Sequence, residues 1–164
     1  MPYPQQRLSE EERRLRSLQI TKFFLDSTIY KVSTSIHLYK SLKDEVDTQY
    51  IANAAYNRDR KETHYPTKDP YSNVRTDVII VPCRRCDVKM NRQGRGGGYY
   101  DRFLEHTVAI KVGICFEIQL TKLLDNVKPN DVPMDIVITE KGIIRKRDTE
   151  EPYPLNYPFN FIVW

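Results

Sequence analysis

The apolar residues of this chain fall in short runs, and their period changes from segment to segment. Ser9-Glu10-Glu11-Glu12 is a capping box, with Ser9 at the N-cap and Glu12 three residues on. Leu15, Leu18, Phe23 and Leu25 roughly follow helical spacing and predict a helix running to about Asp26. Residues 35–39 alternate as a short strand, and Thr48 caps a second helix over 49–57 with Ile51, Ala54 and Ala55 inward. Residues 63–65 form a further short strand, stopped by Pro66. The polar stretch 66–75 is a surface loop. Val78-Ile79-Ile80-Val81 is a continuous β-branched run, the mark of a strand covered on both faces in a parallel sheet. Residues 99–105 read as a helix, 109–116 as a strand broken by Gly113, and 136–138 as another buried strand. Glu140-Lys141-Gly142 then turns the chain back so that Ile143-Ile144 closes a hairpin. Strands alternating with helices predict an α/β fold, a single three-layer domain with a mostly parallel central sheet flanked by helices. That domain covers 1–150. Residues 151–164, with three prolines and then Phe159, Phe161, Ile162, Val163 and Trp164, read as a separate tail.

A length of 164 residues suits one domain. No stretch approaches the ~18 apolar residues of a membrane span, and no secretory leader pattern opens the chain. Three cysteines do not make a secreted disulfide scaffold. The expectation is a cytoplasmic, monomeric protein with no membrane partner. Charge changes the picture more than composition does. Lys and Arg number 26 against 22 Asp and Glu. The window 83–102 holds Arg84, Arg85, Lys89, Arg92, Arg95 and Arg102 against only Asp87 and Asp101, so the whole formal excess of +4 sits there. Gly94, Gly96, Gly97 and Gly98, four of the six glycines, lie in the same window. Positive charge beside exposed backbone N–H groups suggests an anion site. The mild overall charge disfavours a general nucleic-acid binder.

Consecutive glycines make sense where the backbone approaches a ligand or takes positive φ. A helix starting near Gly98 adds free N–H groups and a positive dipole end, and together these form a phosphate cradle. The P-loop does not fit, because Tyr99 follows Gly98 where Lys-Ser/Thr is required; nor does the dinucleotide fingerprint, whose third glycine falls on Tyr99. A flexible Gly/Arg surface loop is the plainer alternative. Cys83 and Cys86 form a Cys-x-x-Cys, but zinc needs two further ligands at matching spacing and redox chemistry favours a helix start. Singly, Asp101 reads as a helix first-turn acid, Asp135 as a strand-edge residue and Glu45 as a solvated acid.

The segment Gly94-Arg95-Gly96-Gly97-Gly98-Tyr99-Tyr100-Asp101-Arg102-Phe103-Leu104, with Asp87 and Arg92 before it, resembles the signature of the 5-formyltetrahydrofolate cyclo-ligase family. Met90 stands where that pattern has glycine and Gln93 where it has leucine. Two further segments resemble the family in the right order: 38–48, with Glu45 at the substrate-contacting glutamate, and 132–143, with Asp135 at the metal-site aspartate. The resemblance runs from about Leu8 to Ile144. It implies conversion of 5-formyltetrahydrofolate to 5,10-methenyltetrahydrofolate with ATP and Mg²⁺. It also implies nucleotide contacts from Arg92, Gln93, Gly94, Arg95, Gly96, Gly97, Gly98, Tyr99 and Tyr100, with Arg95 and Tyr99 catalytic. Lys40, Glu45 and Tyr99 would contact the folate, and Asp101 and Asp135 would hold the metal. The chain departs from the pattern in three places. The basic N-terminal Lys-x-x-Leu-Arg helix is not matched. Two strands and a loop between Tyr65-Pro66 and Asp77 are missing. The apolar Gly-x-x-Phe-Asp becomes Cys83-Arg84-Arg85-Cys86-Asp87. A homologue that binds nucleotide or folate without turnover, or a basic module for nucleic-acid phosphates, are the alternatives.

Overall fold

The computed structural model describes residues 7–71 and 75–145; the 151–164 tail lies outside them. Six strands form the main sheet: β1 (Ser35–His37), β2 (Glu62–His64), β3 (Val78–Pro82), β6 (Ile110–Ile114), β8 (Ile136–Thr139) and β9 (Gly142–Arg145). Their order is β2-β1-β3-β6-β8-β9, with every pair parallel except the closing β8–β9 hairpin. The mostly parallel α/β architecture expected from the sequence is therefore present.

Side chains alternate across the strands and divide the interior in two. Val78 and Ile80 join Ile36, Val112, Ile114, Ile136 and Ile138 on one face. There they meet α1 (Glu10–Asp26), α2 (Thr28–Val32) and α3 (Gln49–Asn53). Ile79, Val81 and Val137 face the other way, onto Leu104 of α4 (Tyr99–Leu104) and onto Cys83, Cys86, Met90 and Met134. Gly113 leaves β6 unbroken, contrary to expectation. Its missing side chain makes room for Met134 and Cys83, whose nearest atoms lie 2.9 and 3.0 Å from where a Cβ would stand.

The capping box of α1 forms as read: the Glu12 amide donates to Ser9 Oγ and the Ser9 amide to Glu12 Oε2. Its buried face is not set by its leucines. Ser17, Ile20, Thr21 and Phe24 are buried, whereas Leu15 and Leu18 are exposed. The i, i+3, i+4, i+7 spacing of the buried set is the true helical stripe. Thr48 does not cap α3; its hydroxyl donates to the Tyr39 carbonyl at 2.6 Å, and Asp47 Oδ1 accepts the Gln49 amide instead. Beyond Asn53 the helix widens into a π-turn over Ala54–Arg58.

A second, small sheet is new to the structure. It contains β4 (Arg85–Asp87), β5 (Arg92–Gln93) and β7 (Leu120–Thr121), in the order β5-β4-β7. Asp87 organises it. Its buried carboxylate accepts the amides of Lys89, Asn91 and Leu124 and the Asn91 side-chain amide, all at 2.9–3.0 Å. That turn aims the chain into the glycine segment.

Candidate active site

The glycine segment links β5 to α4. Gly96 and Gly98 take left-handed φ of +90° and +65°, which an L side chain adopts only with strain. A Cβ at Gly96 or Gly97 would meet nothing within 4 Å, so the segment presents open backbone. Gly98 is the N-cap of α4 and supplies no side-chain acceptor to the first amides of that helix. Arg102 fastens the loop from behind, Nη2 donating to the Gly97 carbonyl at 3.0 Å.

Two other arginines flank it. Arg92 Nη1 donates to the Pro82 carbonyl at 3.1 Å, and the guanidinium lies 5.3 Å from the centroid of the Tyr100 ring. Arg92 Nε and the Tyr100 hydroxyl are both buried without a hydrogen-bond partner. Burial pushes the Tyr100 phenol well above its ordinary pKa. Arg95 reaches across to another loop, Nη2 to Asp44 Oδ1 at 2.5 Å and Nε to Glu45 Oε1 at 3.5 Å. Tyr99, Tyr100 and Phe103 form an aromatic group on α4, with His37 packed 4.7 Å from the Phe103 ring. The Tyr99 hydroxyl donates to the Thr67 carbonyl at 2.8 Å.

Glu45 is not a solvated acid. It is buried, Oε2 accepts the Leu42 amide at 2.9 Å, and its carbonyl receives Arg13 Nε at 2.8 Å. Lys40 Nζ stands 5.9 Å from the centroid of the Tyr65 ring. Lys40 and Glu45 follow the C-terminal end of β1, Tyr65 and Thr67 that of β2, and the glycine segment lies downstream of β3. The structure therefore gathers Lys40, Glu45, Arg92, Arg95, Tyr99 and Tyr100 around the C-terminal ends of parallel strands, where open α/β sheets bind ligands. Gln93 contributes through its backbone, its carbonyl accepting the Arg84 amide at 2.9 Å.

The two aspartates stand differently. Asp101 lies in the first turn of α4, where Oδ1 accepts the Val132 amide at 3.2 Å. Asp135 stands at the start of β8, the opposite end of the sheet from the Lys40–Glu45 loop. Its Oδ2 accepts the Lys111 amide at 2.9 Å and faces the Lys111 ammonium at 3.1 Å. Among the described residues, no group of three or more His, Cys, Asp or Glu side chains is placed to hold a metal. Cys83, Cys86 and Cys115 are all buried and free. Burial pushes the Cys83 and Cys86 thiols well above their usual range, which disfavours the thiolate. A cavity of about 700 Å³ lies elsewhere, lined by Leu18, Thr21, Tyr30 and Arg58.

Sequence reading missed Asp44, Asp87, His37 and Thr67. Only Asp87 had a signal, its place in the matched pattern; the others acquire meaning through contacts between distant segments.

Residues 60–140 match the model of the 5-formyltetrahydrofolate cyclo-ligase family. The chain is 42% identical over 74 residues to the 5-formyltetrahydrofolate cyclo-ligase of Mycolicibacterium smegmatis, covering 43% of this chain and 38% of that one. It is 33% identical over 90 residues to the Escherichia coli K12 protein of the same name, covering 51% and 49% respectively. These matches span less than half the length of those curated relatives. The NMR structure of an Aquifex aeolicus 5,10-methenyltetrahydrofolate synthetase is similar over 92% of this chain and 89% of that one, with a TM-score of 0.73 and 27% identity. A Mycoplasma pneumoniae synthetase, 23% identical with a TM-score of 0.67 over 81% of this chain and 90% of its own, shares the fold.

Proposed function

This chain belongs to the 5-formyltetrahydrofolate cyclo-ligase family, and from that premise we propose that it converts 5-formyltetrahydrofolate to 5,10-methenyltetrahydrofolate with ATP and Mg²⁺. A formamide oxygen is a poor leaving group. Transfer of the γ-phosphoryl group to it creates a good one. The folate N10 then bonds to the formyl carbon, the C–O bond breaks with release of phosphate, and the N10 proton is lost. Such chemistry is mostly positioning and charge stabilisation.

The donors on this chain suit that task. The amides of Gly94 to Gly98 and the guanidiniums of Arg92 and Arg95 hold the phosphates, Gln93 sets the start of the segment, and Tyr99 and Tyr100 wall the shared space. The buried, unpartnered Arg92 Nε and Tyr100 hydroxyl, with open space beside Gly96 and Gly97, fit an incoming polyanion. Lys40, Glu45 and Tyr99 orient the folate. Asp101, in the first turn of α4 beside the glycine segment, offers hard carboxylate oxygens suited to Mg²⁺. Asp135, at the opposite end of the sheet with the Lys111 ammonium at 3.1 Å, does not join Asp101 in holding it.

One observation carries the reading: Arg95 of the glycine segment touches Glu45, so the phosphate-gripping backbone adjoins the acid that faces the second substrate. The test is ATP-dependent appearance of the methenyl chromophore from 5-formyltetrahydrofolate. No chromophore at high protein concentration, with Mg²⁺ present, would remove the enzyme reading. Binding without turnover is the second reading, favoured by the short connection between β2 and β3. Calorimetric binding of both ligands with no product would select it.

A further inference from the structure

We propose that Asp44 is a positioning residue that parks Arg95 across Glu45 until the phosphates of a nucleotide draw the guanidinium away. Nucleotide binding thereby frees Glu45 for the second substrate. The inference rests on the reading of the glycine segment as a nucleotide site.

The three arginines between 92 and 102 are held differently. Arg92 and Arg102 donate to backbone carbonyls, of Pro82 and Gly97. Arg95 instead crosses to the 42–45 loop and meets two adjacent carboxylates. Those carboxylates are not equivalent. The Asp44 side chain is 47% exposed and makes the short contact, 2.5 Å. The Glu45 side chain is 9% exposed and already fixed through Oε2 by the Leu42 amide, so Oε1 is the oxygen turned to Arg95. While the guanidinium stays there, that oxygen is engaged and unavailable to the N–H donors of an incoming heterocycle.

An arginine fork matches phosphate as well as it matches carboxylate. An exposed ion pair is weak, so a polyanion bound on the neighbouring amides can take the guanidinium over. Once it has moved, Glu45 regains a free acceptor. The two ligands then help each other, and by linkage the help is equal in both directions. The backbone of the loop is held independently, by Gln119 Nε2 on the Asp44 carbonyl at 3.4 Å, so removing the Asp44 charge leaves the loop in place.

The test is calorimetric titration of the magnesium complex of adenylyl imidodiphosphate, with and without saturating 5-formyltetrahydrofolate. It uses wild type, Asp44→Asn and Asp47→Asn. Asp47 faces Arg13, at 3.8 Å, so its variant removes the same charge from the same loop without touching Arg95. In wild type the folate tightens nucleotide binding by about two- to five-fold, the range of an exposed pair. In Asp44→Asn the nucleotide alone binds tighter by a similar factor and the coupling falls to one. Asp47→Asn keeps the wild-type coupling. Weaker nucleotide binding in Asp44→Asn, or unchanged coupling, overturns the proposal, as does the same loss of coupling in Asp47→Asn. Nucleotide binding without coupling in wild type overturns it too and leaves the nucleotide site standing. Absence of nucleotide binding overturns both.

Discussion

His37 ends β1 with its ring against Phe103 and only 1% of its surface exposed. Burial, reinforced by the neighbouring His64, pulls its pKa from 6.5 down to about 4. The folded protein therefore keeps His37 neutral where the unfolded chain already binds a proton. Its contribution to stability is complete above about pH 6.5 and is lost as the pH falls towards 4, on the order of 3 kcal/mol over that window. Urea unfolding at several pH values should show this slope, and His37→Phe, which keeps a ring there, should flatten it. An unchanged slope in the variant would place the titration elsewhere. Asp101→Asn should lower the rate of chromophore formation by about 100-fold or more, the scale of losing one group that stabilises developing charge, while leaving the thermal unfolding midpoint nearly unmoved. Met90 shows what a motif match alone hides. It replaces a family glycine yet holds φ +71° while fully buried, so the turn keeps its left-handed residue at a steric cost of about 1–2 kcal/mol.

Elements with a strong local signal were legible. The β-branched run became β3, the capping box opened α1, and the Lys-Gly turn closed the β8–β9 hairpin. The three-residue strands β1 and β2 were also read, but β4, β5 and β7 were not, because runs of two or three residues carry no period of two of their own. The Asp87 carboxylate ties them together with four donors, three of them local and one, the Leu124 amide, from 37 residues away. The apolar residues of α1 do not mark its buried side. Its buried positions include Ser17 and Thr21, and Ser17 Oγ accepts the Asp47 amide at 3.0 Å. Polarity therefore did not mark the buried side. Gly113 is the converse case, a residue that reads as a strand breaker but packs as a spacer. Gly113→Ala should destabilise the protein by about 1–3 kcal/mol through overpacking against Met134 and Cys83, measured as a lower urea midpoint at unchanged m. Equal or greater stability would mean that the second core has slack.

On the scale of the whole molecule, the parallel order β2-β1-β3-β6-β8 turns a scattered set of residues into one place. Lys40, Glu45, Tyr65 and Arg95 come from three separate segments and meet because β1, β2 and β3 all end at the same edge. The sequence carried the glycine segment by itself and Glu45 only through resemblance. The partnership of Arg95 with Asp44 could not be read, since 51 residues separate them and no period connects them. The same topology sets Asp135 at the other end of the sheet, beside Lys111. Among the described residues no helix is long and apolar enough to cross a membrane. The measurement that tests the account most directly is the backbone amide NMR spectrum on addition of magnesium adenylyl imidodiphosphate. The largest shifts should fall on Gly94 to Tyr100 and on Glu45, with the α2 and π-turn end of the molecule unmoved. Shifts centred on Lys31, Arg58 and Lys61 with the glycine amides silent would contradict it.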